Sequence, residues 1–266
     1  MIRLTPAFAA RLPRPWTAVA DAFAVEGEIY REPPGANRRT LRFELAGEGY
    51  FLKLHWGVGW REIFKNLLSG RLPVLGACNE WRAIQALETA GVPVPTLAAW
   101  GREGWNPARR RSFVVTGELA GCLSLEEHCA DWARHPPPPA HKRALIDQVA
   151  AMTRRLHQAG LNHRDLYLCH FLLRRESIQA PPPQLYLIDL HRVQRRRRVP
   201  LRWRAKDLGA LWFSALEIGL TRRDLLRFFR TYAGEPLRPA LRRHRRLLQA
   251  SRRRMLALAR KGIPDE

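Results

Sequence analysis

The spacing of apolar residues predicts strands in the first part of the chain and helices in the second. Short apolar runs bounded by Pro or Gly, as at Pro33-Pro34-Gly35 and Gly47-Glu48-Gly49, predict strands. These strands are Glu28–Arg31, Thr40–Leu45, Tyr50–Leu54, Thr96–Trp100, Ser112–Thr116, Phe171–Leu173 and Leu185–Ile188. Helical spacing predicts helices at Pro15–Val25, Trp60–Leu68, Asn79–Ala90, Lys142–Ala159, Lys206–Gly219, Thr221–Ala233 and Pro239–Lys261. This order predicts an α+β protein of two lobes, 1–117 with an antiparallel sheet and 118–266 mainly helical.

A tetrapeptide in the second half of the chain resembles the catalytic loop of protein kinases. His163-Arg164-Asp165-Leu166 follows a predicted helix that ends at Gly160, and it enters a loop that leads to a strand. Four letters are a weak match by themselves. The match becomes specific only if the other functional residues of a kinase, a phosphate-binding Lys with its Glu and a metal-binding Asp, occur in the same order and in the same kinds of element.

Three further residues stand where a kinase needs them. Lys53 lies inside an apolar strand, and Glu80 shares a helix face with apolar residues, so that it points inward and can pair with Lys53. Asp189 ends an apolar strand, as the metal-binding Asp of kinases does. Phosphoryl transfer depends on positioning and charge neutralisation. The reaction needs a lysine that holds the phosphates, a carboxylate that holds Mg²⁺ and a second carboxylate that accepts the proton of the acceptor hydroxyl. Lys53, Asp189 and Asp165 fill these roles in that order.

Each of these residues also has a purely structural interpretation. A lysine in a strand can protect a sheet edge, a lone aspartate is usually a turn or cap residue, and a helical glutamate is often solvated. The four residues together, in the order of a kinase, favour the catalytic interpretation. The predicted fold is therefore a bilobal protein-kinase-like fold.

The sequence departs from protein kinases at several positions. No glycine-rich motif follows the first strand, so phosphate contact is expected from Arg38, Arg39 and backbone amides. His170 stands where the kinase loop carries a metal-binding Asn, although His is a poorer Mg²⁺ ligand than oxygen. The chain after Asp189 is too short for a long activation loop. A peptide-docking platform is not expected, which favours a small or glycan acceptor.

These departures themselves resemble the lipopolysaccharide core heptose(I) kinases, over roughly residues 20 to 220. The stretches that carry the resemblance are Tyr30-Arg31, Arg38-Arg39-Thr40, Trp60–Leu67, Leu72–Ala77, His163–Asp165, Cys169–Phe171 and Ile188–Arg192. In that family, a histidine at 170 and at 191 is ordinary. The resemblance implies ATP and Mg²⁺ as cofactors, a heptose hydroxyl as acceptor, and work at the cytoplasmic face of the inner membrane of a Gram-negative bacterium.

The resemblance also implies a role for each candidate residue. Asp165 would be the catalytic base, with Arg164 and His163 beside it in the catalytic loop. Lys53 would bind the nucleotide with Glu80 as its partner, and backbone groups of Glu118 and Leu119 would meet adenine. The metal-binding residues would be Asp189 and His170.

The charge balance predicts anionic partners. Lys and Arg number 46 against 24 Asp and Glu, a formal net charge of +22, and such a surface attracts nucleic acid, anionic lipid, phosphorylated glycan or an acidic protein. The resemblance favours the lipopolysaccharide core glycan and an anionic membrane surface, with an acidic protein as a further possible partner and no nucleic acid expected. The four cysteines have no zinc-ligand spacing, no signal peptide is evident, and a peripheral cytoplasmic location is expected.

Two basic amphipathic segments are left with two interpretations each. Pro239–Lys261 has Leu241, Leu248 and Met255 on one face. That face either closes the second lobe or lies on an anionic membrane. Trp56 and Trp60–Leu68 either pack on the first lobe or contact lipid or glycan.

Two other functions compete with heptose phosphorylation. The first is a small-molecule or protein kinase of atypical type, including a tyrosine kinase, which the short segment after Asp189 disfavours for ordinary protein substrates. The second is a non-catalytic, basic, nucleic-acid-binding pseudokinase, against which Lys53, Asp165 and Asp189 all count.

Overall fold

The computed structural model describes residues 1–32, 37–68 and 75–261, and the chain forms two compact units. The first unit comprises residues 1–85, 95–120 and 190–192, and the second comprises 86–94, 121–189 and 193–266. Within the described residues, no helix combines the length and apolar character that a membrane crossing requires.

The first unit is built on a six-stranded antiparallel sheet with the order β1-β5-β6-β4-β3-β2. Its strands are β1 (Ile2–Leu4), β2 (Glu28–Arg31), β3 (Arg38–Leu45), β4 (Glu48–His55), β5 (Leu97–Glu103) and β6 (Arg111–Gly117). The helices that begin in this unit are α1 (Pro6–Ala9), α2 (Val19–Phe23), α3 (Gly59–Leu68) and α4 (Cys78–Thr89). The strand β4 lies between β3 and β6, so its residues have partners on both sides.

One face of this sheet carries the core of the first unit. Leu52 and Leu54 alternate with residues of the other face along β4, and they are buried together with Phe113 and Phe8. Phe8 comes from the short helix α1, and the side chain of its N-cap residue Thr5 accepts a hydrogen bond from the backbone N–H of Phe8. The opposite face of β4 carries Lys53, so the hydrophobic core and the lysine are separated by the sheet.

The second unit is mainly helical and contains two small antiparallel sheets with the orders β10-β9-β7 and β11-β8. Its strands are β7 (Cys122–Ser124), β8 (Leu161–Asn162), β9 (Phe171–Arg174), β10 (Leu185–Leu187) and β11 (Gln194–Arg195). Its helices are α5 (Leu125–Cys129), α6 (Pro139–Gln158), α7 (Leu201–Ser214), α8 (Arg222–Ala233), α9 (Leu237–Arg243) and α10 (Arg245–Ala259). Together with the first unit, this confirms the predicted α+β class.

The basic C-terminal segment closes the core of the second unit. Pro239–Lys261, expected as one helix, is two, because the chain turns at His244 between α9 and α10. Leu247 and Met255 are buried, and Leu241 and Leu248 pack against the core that contains Phe229. The apolar face of this segment is therefore occupied by the protein interior, and the membrane interpretation of that face is wrong.

Several elements differ from the sequence expectation. The short elements β1, α1, β7 and α5 were not predicted, since each is too short to show a clear period. The helix α7 begins at Leu201, directly after Pro200, and ends at Ser214, so it is shifted from the predicted Lys206–Gly219. The predicted turn Pro33-Pro34-Gly35 and the stretch Leu72–Val74 of the family resemblance lie outside the described residues.

Candidate active site

The predicted lysine and glutamate of the first unit form an ion pair. Lys53 Nζ lies 2.5 Å from Glu80 Oε1, with Lys53 on β4 and Glu80 in the first turn of α4. Glu80 is almost fully buried, so its carboxylate needs a cation close by. The expectation that the two side chains meet is confirmed by this contact.

The strand register places Arg38 on the same face of the sheet as Lys53. Thr40 is opposite Lys53 in the antiparallel pair of β3 and β4. Arg38, two residues before Thr40, is opposite His55, two residues after Lys53, so the four side chains share one face. Burial lowers the pKa of His55 to about 4, and neighbouring positive charges add to this effect. Those charges belong to Arg38, Lys53 and His191. A cationic cluster with a neutral histidine therefore surrounds Lys53, and such a cluster suits phosphate groups.

Arg39, predicted as a second phosphate contact, lies elsewhere. It is opposite Leu54, whose side chain belongs to the core face of the sheet. Its guanidinium pairs with Glu32 at 2.8 Å and lies 5.6 Å from the ring centre of Trp56. Successive residues of a strand point to opposite faces. The structure therefore does not bring Arg39 to Lys53, and the prediction of a phosphate contact is corrected for this residue.

The predicted adenine-binding residues follow β6. The backbone N–H of Glu118 donates to the carbonyl oxygen of Gly49 at 2.9 Å, and its carboxylate accepts from Arg42 at 2.9 Å. The N–H of Glu118 is thus engaged within the first unit and is not available to a ligand. Any adenine contact through a backbone N–H falls to Leu119 or a later residue.

In the second unit, a buried carboxylate holds the backbone of the predicted catalytic loop. Asp207 of α7 accepts hydrogen bonds from the backbone N–H groups of His163 at 2.7 Å and Arg164 at 2.8 Å. Arg164 has φ of 80°, a conformation that few residues other than Gly adopt. Such a backbone persists when its surroundings fix it. Asp207 supplies that constraint directly before Asp165, which is partly exposed.

His163 was predicted as a catalytic residue, but its ring is fully buried. Burial lowers the pKa of His163, so the imidazole is neutral. Its Nε2–H donates to the carbonyl oxygen of Ile188 at 3.0 Å. Since the ring does not reach the surface, His163 holds the residue before Asp189 and does not touch an acceptor. Arg164 is also buried, at 9 % exposure, so Asp165 alone of the three is presented outward.

The two predicted metal-binding residues are neighbours. His170 Nδ1–H donates to the backbone carbonyl of Asp165 at 2.7 Å, and its Nε2 lies 3.4 Å from Asp189 Oδ2. With Nδ1 bonded to the backbone, Nε2 is the ring nitrogen that faces Asp189. Asp189 has φ of 58°, a second uncommon conformation in this unit. The ring of His170 also stacks on that of His163, with centres 5.6 Å apart.

These two side chains fit a magnesium ion that is shared with a nucleotide. Mg²⁺ is usually held by one or two carboxylates together with substrate phosphates and water. Over residues 1–32, 37–68 and 75–261, no cluster of three or more His, Cys, Asp or Glu is placed to hold a metal ion by itself. A histidine that donates its other N–H to a backbone carbonyl is the usual arrangement of a ligating histidine. His170 has this arrangement, with Asp189 as the carboxylate beside it.

Sequence reasoning missed Asp207 and the two residues that accompany it. His157 Nε2 lies 3.2 Å from Asp207 Oδ2, and His157 Nδ1 lies 2.9 Å from the hydroxyl of Tyr232. All three side chains are buried. The only signal in the sequence was the position of Asp207 directly before the apolar stretch that begins at Leu208, where a buried carboxylate would require several donors. Only the fold shows that these donors are the backbone N–H groups of the catalytic loop.

Comparisons with known proteins agree with this site. The sequence profile of the family described as "Lipopolysaccharide kinase (Kdo/WaaP) family" matches residues 20–232. The chain belongs to this family. Its members are kinases of lipopolysaccharide biosynthesis, so this chain is a phosphotransferase that acts on a sugar hydroxyl.

Individual relatives confirm the resemblance to the core heptose(I) kinases. The chain is 56 % identical to the lipopolysaccharide core heptose(I) kinase WaaP of Pseudomonas aeruginosa over 220 residues, 82 % of this chain and 81 % of that protein. It is 50 % identical to the protein of the same name from Escherichia coli strain K12, over 86 % of this chain and 87 % of that protein. The protein-kinase and pseudokinase alternatives are not favoured.

A solved structure shows the same fold over almost the whole chain. It is described as WaaP in complex with acyl carrier protein, and it aligns with a TM-score of 0.80 at 44 % identity. The alignment covers 97 % of this chain and 98 % of that chain. The fold predicted from the kinase-like motifs is therefore confirmed.

Proposed function

We propose that this protein transfers the γ-phosphoryl group of ATP to a hydroxyl of a heptose in the inner core of lipopolysaccharide. The observation that carries the proposal is the Lys53–Glu80 ion pair at 2.5 Å in a chain of the lipopolysaccharide kinase family. A lysine held in this way suits the phosphates of a nucleotide. The relatives that bear the name heptose(I) kinase support the choice of acceptor.

The reaction assigns one task to each residue. Lys53 holds the phosphates of ATP, and Arg38 adds positive charge on the same face of the sheet. Asp165 accepts the proton of the heptose hydroxyl as its oxygen bonds to the γ-phosphorus. The bond between that phosphorus and the bridging oxygen breaks, and ADP leaves. When bound, Mg²⁺ neutralises phosphate charge, and Asp189 with His170 would hold it.

We further propose that the protein works as a peripheral protein at the cytoplasmic face of an anionic membrane. The acceptor is anchored by lipid, and the net charge of +22 favours attachment to anionic lipid. Each Lys or Arg close to such a surface contributes about 1 kcal/mol, and this contribution decays within roughly 10 Å at 0.1 M salt.

An acidic acyl carrier protein is proposed as a protein partner. The structurally similar WaaP was solved with acyl carrier protein. The second unit of this chain has a cavity of about 460 Å³ whose lining is almost entirely apolar. Its lining includes Leu211, Trp212, Leu225, Phe229 and Leu248, together with Arg222 and Arg252. A long apolar chain suits the interior of this cavity. Asp224 also lines it but is paired with Lys142 at 2.9 Å, so the two arginines suit an acidic protein that delivers the chain.

Native mass spectrometry tests the carrier protein as a partner. The carrier protein loaded with a long acyl chain is expected to bind at least tenfold more tightly than the unloaded form, because only the loaded form fills the cavity. The Arg222→Glu/Arg252→Glu variant is expected to weaken both complexes. Equal binding of the loaded and unloaded forms would assign the cavity no part in the interaction.

Phosphate transfer tests the enzymatic proposal. Labelled ATP and Mg²⁺ are incubated with dephosphorylated core lipopolysaccharide, and with dephosphorylated protein and RNA as alternative targets. Label on the heptose is the expected result. Label on protein alone, or a protein that binds RNA and shows no Mg²⁺-dependent thermal shift with ATP, would contradict the proposal.

A further inference from the structure

The helix α3 exposes most of its apolar residues. Ile63 alone points into the first unit, at 6 % exposure. The exposed residues are Trp60 at 49 %, Phe64 at 56 %, Leu67 at 50 % and Leu68 at 90 %. Their spacing of three and four residues puts them on one stripe of the helix. The stripe is defined here as the α3 stripe.

The α3 stripe is aromatic and is bordered by cations. The rings of Trp60 and Phe64 stack with centres 5.8 Å apart. Arg61 and Lys65 are one residue further along the helix, so they fall beside the stripe, and both are exposed. Lys65 lies 3.5 Å from Glu62, an exposed pair on the helix surface. A helix with an apolar stripe, a charged face and basic residues between them has the composition of an interfacial membrane helix.

The segment before α3 adds a third aromatic side chain, Trp56. Trp56 is partly exposed, its ring packs edge-on against Phe23 at 5.2 Å, and Arg39 lies over it. Trp is enriched where lipid headgroups meet the acyl region, because its ring is apolar and its N–H is polar. Arg39, which lies on the other face of the sheet from Lys53, thus contacts Trp56 beside the α3 stripe.

We propose that the α3 stripe docks the protein on an anionic membrane, with Trp60, Phe64 and Leu68 entering the headgroup region. This proposal rests on the peripheral location given under the proposed function, and it names the element that makes the contact. Charge complementarity selects the occupant. A second copy of the chain would bring a net charge of +22 against another +22, whereas an anionic bilayer accepts both the cations and the apolar stripe.

The competing segment at the C-terminus does not offer such a stripe. The apolar face of α10, with Leu247 and Met255, is buried in the second unit. The exposed arginines of α10 are Arg245, Arg246, Arg252 and Arg253. Those arginines supply charge without an apolar stripe. Binding through α10 alone would therefore vanish at high salt, whereas binding through α3 would persist in part.

Co-sedimentation with vesicles tests the proposal. The vesicles contain phosphatidylglycerol and phosphatidylcholine, or phosphatidylcholine alone, at low and high salt. The variant Trp60→Glu/Phe64→Glu is expected to bind the anionic vesicles at least tenfold less than the parent. The matched control is Leu216→Glu/Leu256→Glu, which adds the same two negative charges at exposed apolar residues of the second unit. The control is expected to lose less than threefold.

Two additional measurements keep the result interpretable. Melting curves establish that each variant is folded, and Leu68→Glu serves as a single substitution at the most exposed position of the stripe. Transfer to a deacylated, soluble core oligosaccharide should stay unchanged in the α3 variants, while transfer to the same acceptor in vesicles should fall. Failure of the kinase function would instead remove transfer to both acceptors from the parent protein.

Equal vesicle binding by the α3 variant and its control would overturn the proposal. So would a loss of binding to acyl carrier protein with vesicle binding intact, because the occupant would then be a protein. A parent protein that does not bind anionic vesicles would also overturn it.

Discussion

The nucleotide lysine of the first unit and the catalytic loop of the second unit are held in different ways. Lys53 is held through its side chain, which forms an ion pair with the carboxylate of Glu80. The loop that carries Asp165 is held through its backbone, because Asp207 accepts two N–H groups directly before it. Both members of the Lys53–Glu80 pair can be predicted from the sequence. For the loop, the sequence predicts Asp165 but not Asp207, which holds the loop.

This difference follows from the lengths of the two side chains that must be positioned, Lys53 and Asp165. A lysine has a long side chain, and a carboxylate that contacts its end limits where the ammonium group lies. Asp165 has a short side chain, so its position is set by the backbone of the residues around it. That backbone includes Arg164 with φ of 80°, a conformation that needs support from the fold.

The largest effect is expected from Asp165→Ala, which removes the proposed catalytic base that the Asp207-supported loop carries. The rate of transfer should fall by roughly 10²–10⁴, the usual contribution of a general base. ATP affinity and thermal stability should stay close to those of the parent, since Asp165 acts on the acceptor. Steady-state kinetics and titration with ATP measure the two properties separately. Activity within about threefold of the parent would exclude Asp165 as the base.

The next effect is expected from Asp207→Asn. Asparagine keeps one acceptor oxygen and replaces the other by an NH₂ group, so one of the two loop N–H groups loses its partner. A hydrogen bond to a charged group contributes about 1.5–3 kcal/mol, and the free energy of unfolding should fall by that order. The rate should fall as well, while KM for ATP stays unchanged, because the lysine site lies in the other unit.

Denaturant unfolding measures this change, with Asp131→Asn as the control. Asp131 is exposed, and it pairs with the exposed side chains of Arg134 and His135. Exposed pairs of this kind contribute about 0–1 kcal/mol, so Asp131→Asn should change stability less than Asp207→Asn. If Asp207→Asn were as stable and as active as the control, the support of the loop would have to come from other contacts.

A smaller, coupled effect is expected at the lysine site. Lys53→Met and Glu80→Gln should each lower kcat/KM for ATP, and the double variant should lose less than the sum of the two. Residues in direct contact show coupling energies of about 0.5–3 kcal/mol. A double-mutant cycle measures that energy. Additive losses would mean that the ion pair has no part in nucleotide use.

The smallest effect separates two adjacent arginines of β3. Arg38→Gln should raise KM for ATP about fivefold, since one charge contact near the surface contributes about 1 kcal/mol. Arg39→Gln should leave KM for ATP unchanged, because Arg39 lies on the other face of the sheet and pairs with Glu32. Equal changes of KM for ATP in the two variants would show that the side of the sheet on which an arginine lies does not determine whether it contacts the nucleotide.

Much of the candidate site was predictable from the sequence. Lys53, Glu80, Asp165, Asp189 and His170 were identified by order and local context, and the structure brings together Lys53 with Glu80 and His170 with Asp189. Three features were not predictable. These are the hydrogen bonds of Asp207 to the catalytic loop, the hydrogen bond of the Glu118 N–H to Gly49, and the burial of His163. Each depends on a residue distant in sequence, and its contacts exist only once the chain is folded.

The helices α3 and α10 show the same division. The sequence determined that both are helical, amphipathic and basic, because the spacing of their apolar residues has the helical period. Only the tertiary structure decided what covers each apolar face. Leu247 and Met255 of α10 are covered by the second unit, whereas Trp60 and Phe64 of α3 remain exposed. The physical reason is that periodicity specifies which residues share a face, while burial of that face depends on the elements that pack against it.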